Sequence, residues 1–122
     1  MKVKLMYVKD HGDLDNERIV LKALAGLDIG RYLICDTTYN KDNTVSNKVR
    51  HTYWFPDKAI QEGDFVALYT KVGTDRQHSN QANTTTHCFY WGLDRTIWNK
   101  DGDGAVLFEL GSWAIKNMLS SD

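Results

Sequence analysis

Oxygen-bearing side chains recur at alternate positions in Asn99-x-Asp101-x-Asp103-Gly104. This is how a calcium loop begins, with ligands at positions 1, 3 and 5 and a glycine at 6 for the turn. Such a loop requires a bidentate glutamate at position 12, where Leu110 stands, and a helix beyond it, where this chain has a strand pattern. Half a ligand set makes Asn99, Asp101 and Asp103 a weak metal site only, and no metal or cofactor is expected. The histidines are His11, His51, His78 and His87, each in a different segment. The chain contains no G-x-S-x-G, H-E-x-x-H or phosphate-cradling glycine loop, and no nucleophile is paired with a base. The expectation is a protein that is not an enzyme.

The remaining chemistry is recognition. Lys48, Arg50 and His51 precede Tyr53 and Trp54, and on one strand Lys48, Arg50, Thr52 and Trp54 would share a face. A basic and aromatic strip of this kind can follow a phosphate backbone and stack bases. The same lysine and arginine would also serve simply to keep an exposed strand soluble and unpaired. Lys+Arg number 15 against 16 for Asp+Glu, a net charge of −1, which disfavours nucleic acid as the default partner. Tyr39, Tyr53 and Trp54 are candidates for an exposed aromatic patch of the kind that marks a protein or glycan contact. The polar stretch 71–86 carries two further candidate contacts, Arg76 and His78. Unstructured loops of that length are usually functional or mobile.

The elements that would position these residues are short and rich in β formers. The runs 3–8, 32–38, 45–55, 65–70, 86–91, 105–110 and 113–118 read as strands, separated by turn chemistry such as Asp10-His11-Gly12-Asp13 and Glu62-Gly63-Asp64. Residues 16–25 fit a helix or a strand, and the valine and isoleucine favour the strand. Pro56 stops the longest run, and Gly111-Ser112 would turn the last two into a hairpin. Short strands spaced by turns make an all-β antiparallel sandwich or barrel. With 122 residues and 42% hydrophobic content, one domain over 1–122 is expected. No apolar run approaches the roughly 18 residues of a membrane span or the core of a leader peptide. Cys35 and Cys88 lie in apolar runs and read as reduced thiols, which implies the cytoplasm.

One order of motifs stands out, its last segment being the specific part and the rest generic β patterning. Trp54-Phe55-Pro56 is followed by Glu62-Gly63-Asp64-Phe65-Val66-Ala67-Leu68, then Tyr90-Trp91-Gly92, then Ile97-Trp98-Asn99-Lys100-Asp101-Gly102-Asp103-Gly104-Ala105-Val106-Leu107. This resembles the lamin tail domain, whose pattern W-N-x-x-G-D-x-A-x-L the last segment follows. The resemblance covers about 3–111; Lys100, Gly104 and Ala23 depart from it in turn details. It implies an immunoglobulin-like antiparallel β-sandwich of 7–9 short strands with Tyr32, Trp91 and Trp98 in the core, and 112–122 as an extra strand or tail. The function it implies is that of a free-standing bacterial-type copy: a non-catalytic adaptor that binds a protein partner. Nucleic-acid binding and calcium-dependent ligand or glycan binding are the alternatives.

Overall fold

The computed structural model describes residues 1–44, 46–98 and 103–119. Alternation of side chains decides the first strands. In β1 (Val3–Lys9) Val3 and Leu5 turn to the core and Lys4 away from it. A register shift between Leu5 and Tyr7 then keeps Val8 inside while Tyr7 and Lys9 face out. In β2 (Arg18–Ala23) the side chains that join the core are Ile19, Leu21 and Ala23, so the stretch that could have been a helix is a strand. Glu17, just before β2, is fully buried and fully bonded. Its carboxylate accepts from the Thr70 hydroxyl (2.6 Å), Ile97 N–H (3.1 Å) and Gly12 N–H (2.9 Å).

Two-residue strands β3 (Leu27–Asp28) and β6 (Ala59–Ile60) pair with each other beside a 3₁₀ turn at Ile29–Arg31. The Asp28 carboxylate caps that turn by accepting from Gly30 N–H at 2.9 Å. β4 (Tyr32–Thr38) is flanked by β5 (Thr52–Trp54) and β10 (Asp103–Glu109) in a three-stranded sheet. A five-stranded sheet runs in the order β1, β2, β7 (Phe65–Tyr69), β9 (Thr85–Tyr90), β8 (Arg76–Ser79). Side chains from both sheets meet in one core, which includes Ile19, Leu21, Ile34, Leu68, Phe89 and Trp98. The fold is therefore all-β and sandwich-like. Tyr32 and Trp98 are buried in it as expected, whereas Trp91, expected in the core as well, is only partly buried against it.

Several expectations need correction. The sheet is not wholly antiparallel: β7 and β9 run parallel. The chain leaves β7, passes the neighbouring position, forms β8, and turns back through Asn80–Thr84, so the returning strand β9 lies between them in the direction of β7. Ten strands lie among the described residues rather than 7–9, because pairs as short as β3 and β6 have no periodicity to read. The stretch 71–86 is not one loop, since β8 occupies its middle. The run 113–118 forms no strand: Ile115 and Met118 are exposed, and Trp113 instead packs edge-on against Trp54 at 5.0 Å. Gly111-Ser112 is accordingly not a hairpin turn.

Candidate functional site

The outward positions of the five-stranded sheet carry a consistent chemistry. Register sets Lys4 beside Lys22, Tyr7 beside Val20 and Lys9 beside Arg18. It continues with Arg18 beside Tyr69, Val20 beside Ala67 and Lys22 beside Phe65. On β9 and β8 the same face shows Thr86, Cys88 and Tyr90, with Arg76 opposite Cys88 and His78 opposite Thr86. None of the five strands contains an aspartate or a glutamate. The acid at the rim is Asp10, which holds Arg18 at 3.1 Å. Among the described residues, Lys4, Lys9, Lys22, Lys71 and Arg76 form no ion pair with a carboxylate.

Cations and rings interlock on this face. The Arg18 guanidinium lies 5.4 Å from the Tyr69 ring centre and the Lys71 ammonium 5.8 Å from it. The Lys22 ammonium lies 5.6 Å from the Phe65 ring. Tyr69 and Tyr90 stack at 5.2 Å with 15° between planes, and Arg76 Nε donates to the Tyr90 hydroxyl at 3.3 Å. These contacts fix long side chains in place before any ligand arrives. Between them lies an open recess of about 360 Å³. Its floor is Val20, Ala67 and Cys88, all buried, and Tyr7, 52% exposed, stands on its wall. Burial pushes the Cys88 thiol up against the pull of Arg76, Arg18 and Lys58, so it stays neutral and the floor is apolar.

The far end of the recess is closed by the hairpin loop. Asn80 organises that loop: its Oδ1 accepts from Ala82 N–H and Thr84 N–H, and its amide donates to the Thr84 and Thr86 hydroxyls. Asn83 occupies the left-handed region at φ 60. On the inner side of β9, His87 Nε2 lies 2.9 Å from Asp64 Oδ2. Burial raises the Asp64 carboxyl, but the bonds from His87, Gln61 N–H and Thr85 N–H outweigh it and hold the group below the usual carboxylate range. This pair holds the 61–64 turn against β9 and does not reach the recess.

Of the residues singled out in the sequence, Arg76 and His78 lie on this face and the others do not. The continuous basic strand over 45–55 does not form, since only Thr52–Trp54 is strand. Upstream, Lys48 N–H turns back to Ser46 Oγ, and the Thr37 hydroxyl donates to the carbonyls of Ser46 and Lys48. Lys48 and Arg50 are exposed, Arg50 lying 3.9 Å from Asp103. His51 sits against Asp36, with Nδ1 3.2 Å from its carboxylate. Tyr53 is half-buried against Phe55 and Trp91, so it is not part of an exposed patch. Trp54 points the other way, donating to the Gly30 carbonyl at 2.8 Å. Asn99 and Asp101 lie outside the described residues, and Asp103 is nearly buried at the start of β10.

Sequence reasoning missed Tyr7, Lys9, Arg18, Lys22, Phe65, Tyr69 and Tyr90. A signal existed: the runs 3–8, 65–70 and 86–91 contain no acidic residue. No family model matches this chain, and no curated protein matches it. Among the described residues no group of three or more metal-ligating side chains converges, and no helix is long and apolar enough to cross a membrane.

Proposed function

We propose that this chain is a non-catalytic recognition module that binds an anionic partner on the outer face of its five-stranded sheet. The observation that carries the reading is the absence of any acidic residue from all five strands, in a chain that has as many acids as bases overall. The likeness of the segment W-N-K-D-G-D-G-A-V-L to lamin tail domains supports recognition rather than catalysis, and an immunoglobulin-like assignment for the sandwich. Two free, buried thiols suit a reducing compartment such as the cytoplasm. A column of immobilised heparin tests the reading. The protein is retained at about 50 mM salt, where backbone-type charge contacts are strongest, and Lys9→Ala with Arg76→Ala elutes earlier. Passage of the wild-type protein straight through at that salt overturns the reading.

A second reading, a protein-binding adaptor, has its own observation. Trp54, Phe108 and Trp113 are each more than 40% exposed, and Phe108, Leu33 and Trp54 lie in one row across the three-stranded sheet. A row of exposed rings of this kind is the usual anchor of a protein interface. Trp54→Ser with Phe108→Ser then abolishes capture of a stoichiometric partner while leaving heparin retention unchanged.

A further inference from the structure

We infer that the partner on the five-stranded sheet is single-stranded nucleic acid, one base of which enters the recess beside Tyr7. The inference rests on the anionic-partner reading above and gives that partner its class. Three features of the face select it.

The first is the spread of charge. Cations occur from β1, with Lys4 and Lys9, to β8, with Arg76. Four strand steps of roughly 4.8 Å separate these edges, about 19 Å in all. A single phosphate meets one such group at a time; a chain of phosphates meets them in series. The second is the set of rings. Tyr7, Phe65, Tyr69 and Tyr90 share the face with the cations, Arg18 paired with Tyr69 and Lys22 with Phe65. Half of the Tyr7 surface is open. A half-exposed ring amid cations offers little to a sulfated or phosphorylated polymer without bases. Tyr7 is the ring left open for an unpaired base to stack on, since cations or a second ring already contact Phe65, Tyr69 and Tyr90. A duplex keeps its base faces covered and could use only the charges.

The third is the recess. Its volume of about 360 Å³ lies within the range of small-ligand sites. Its floor of Val20, Ala67 and Cys88 is apolar, and its rim carries polar groups in His78, Asn80 and Gln81. An apolar floor below a hydrogen-bonding rim suits a flat heterocycle with polar edges. His78 and Gln81 are exposed; His78 has Nε2 to offer such an edge, its Nδ1 lying 3.0 Å from the Ser79 carbonyl, whereas Asn80 is committed to its own loop.

The test is fluorescence anisotropy at about 50 mM salt with labelled oligothymidylate or oligouridylate of about ten nucleotides. Heparin, inorganic polyphosphate, the matching duplex and anionic phospholipid vesicles serve as competitors. Single strands bind, the duplex competes at least 10-fold less well, and Tyr7→Ala weakens binding about 5- to 150-fold, the range of one lost base stack. Tyr7→Phe keeps the ring and retains binding. Tyr7 is exposed enough that its truncation spares the fold, and an unchanged melting temperature verifies this. If heparin and polyphosphate bind as tightly as the oligonucleotide and Tyr7→Ala changes nothing, the nucleic-acid inference falls and the anionic-partner reading survives. Binding to vesicles without binding to oligonucleotides has the same consequence. If no polyanion binds, both fall.

Discussion

A phenol on the core's edge shows how a single residue feels its neighbourhood. Tyr53 packs edge-on to Phe55 at 5.0 Å and leans on Trp91 at 5.9 Å. Burial, reinforced by the charge of Asp75, pushes its phenol up to about 12. The unfolded chain ionises the same group near 10. The folded value is the higher one, so the stabilisation is complete below about pH 10 and is lost as pH rises toward about 12. Tyr32 behaves alike: burial, with its hydroxyl donating to the Glu109 carboxylate at 2.6 Å, raises it to about 12. Tyr53→Phe removes one titrating group without removing the ring. We expect little change in stability at pH 7 and a shallower fall between about pH 10 and 12, followed by urea unfolding across that range. An unchanged alkaline slope contradicts this account. Tyr53 also marks what residue type alone conveys. Its aromatic character is plain in Thr52-Tyr53-Trp54, but adjacent strand residues face opposite ways, and neither assignment of inside and outside has a sequence signature.

Elements are held in register by buried polar joints as much as by the apolar core. Glu17 joins the Gly12 turn, the end of β7 at Thr70 and the segment entering Trp98 at Ile97. Those three places are far apart in the chain, and one carboxylate fastens all of them. Glu17→Ala leaves buried donors at Thr70 and Ile97 without acceptors, each costing about 1–3 kcal/mol, so a loss of about 2–6 kcal/mol is expected. A lower urea midpoint with an unchanged slope identifies this as lost stability rather than a looser fold. A shift below about 0.5 kcal/mol means that water replaces the carboxylate, and the joint is dispensable. Most strands were legible: 32–38 coincides with β4, and 3–8, 65–70 and 86–91 match their strands to within a residue at either end. The order of strands was not, because periodicity reports a strand's faces and says nothing about its neighbours. The parallel placement of β9 beside β7 follows from the hairpin folding inward, a tertiary choice. The run 45–55 misled for a local reason, since Ser46 and Thr37 divert the backbone with side-chain bonds that compete with the ladder.

Across the whole molecule, a net charge of −1 conceals a division of charge by surface. Bulk neutrality counts against a polyanionic partner only if charges are mixed evenly, and here the five-stranded sheet carries lysine and arginine while the acids among the described residues lie outside its strands. Lys9 and Lys22 are outward on β1 and β2; Lys48 and Arg50 are exposed on the segment leading to β5. Two double variants separate location from total charge. Lys9→Ala with Lys22→Ala, and Lys48→Ala with Arg50→Ala, each move the net charge from −1 to −3 (two cations removed). If bulk charge governs binding, they weaken it equally. If the sheet face governs it, only the first pair does. For single strands each phosphate contact contributes about −0.7 to the slope of log K against log salt. The Lys9 and Lys22 pair therefore makes the slope shallower by about 1.4, and the Lys48 and Arg50 pair leaves it unchanged. Equal slopes for the two variants would return the basic strip before β5 to consideration and remove the sheet face from it.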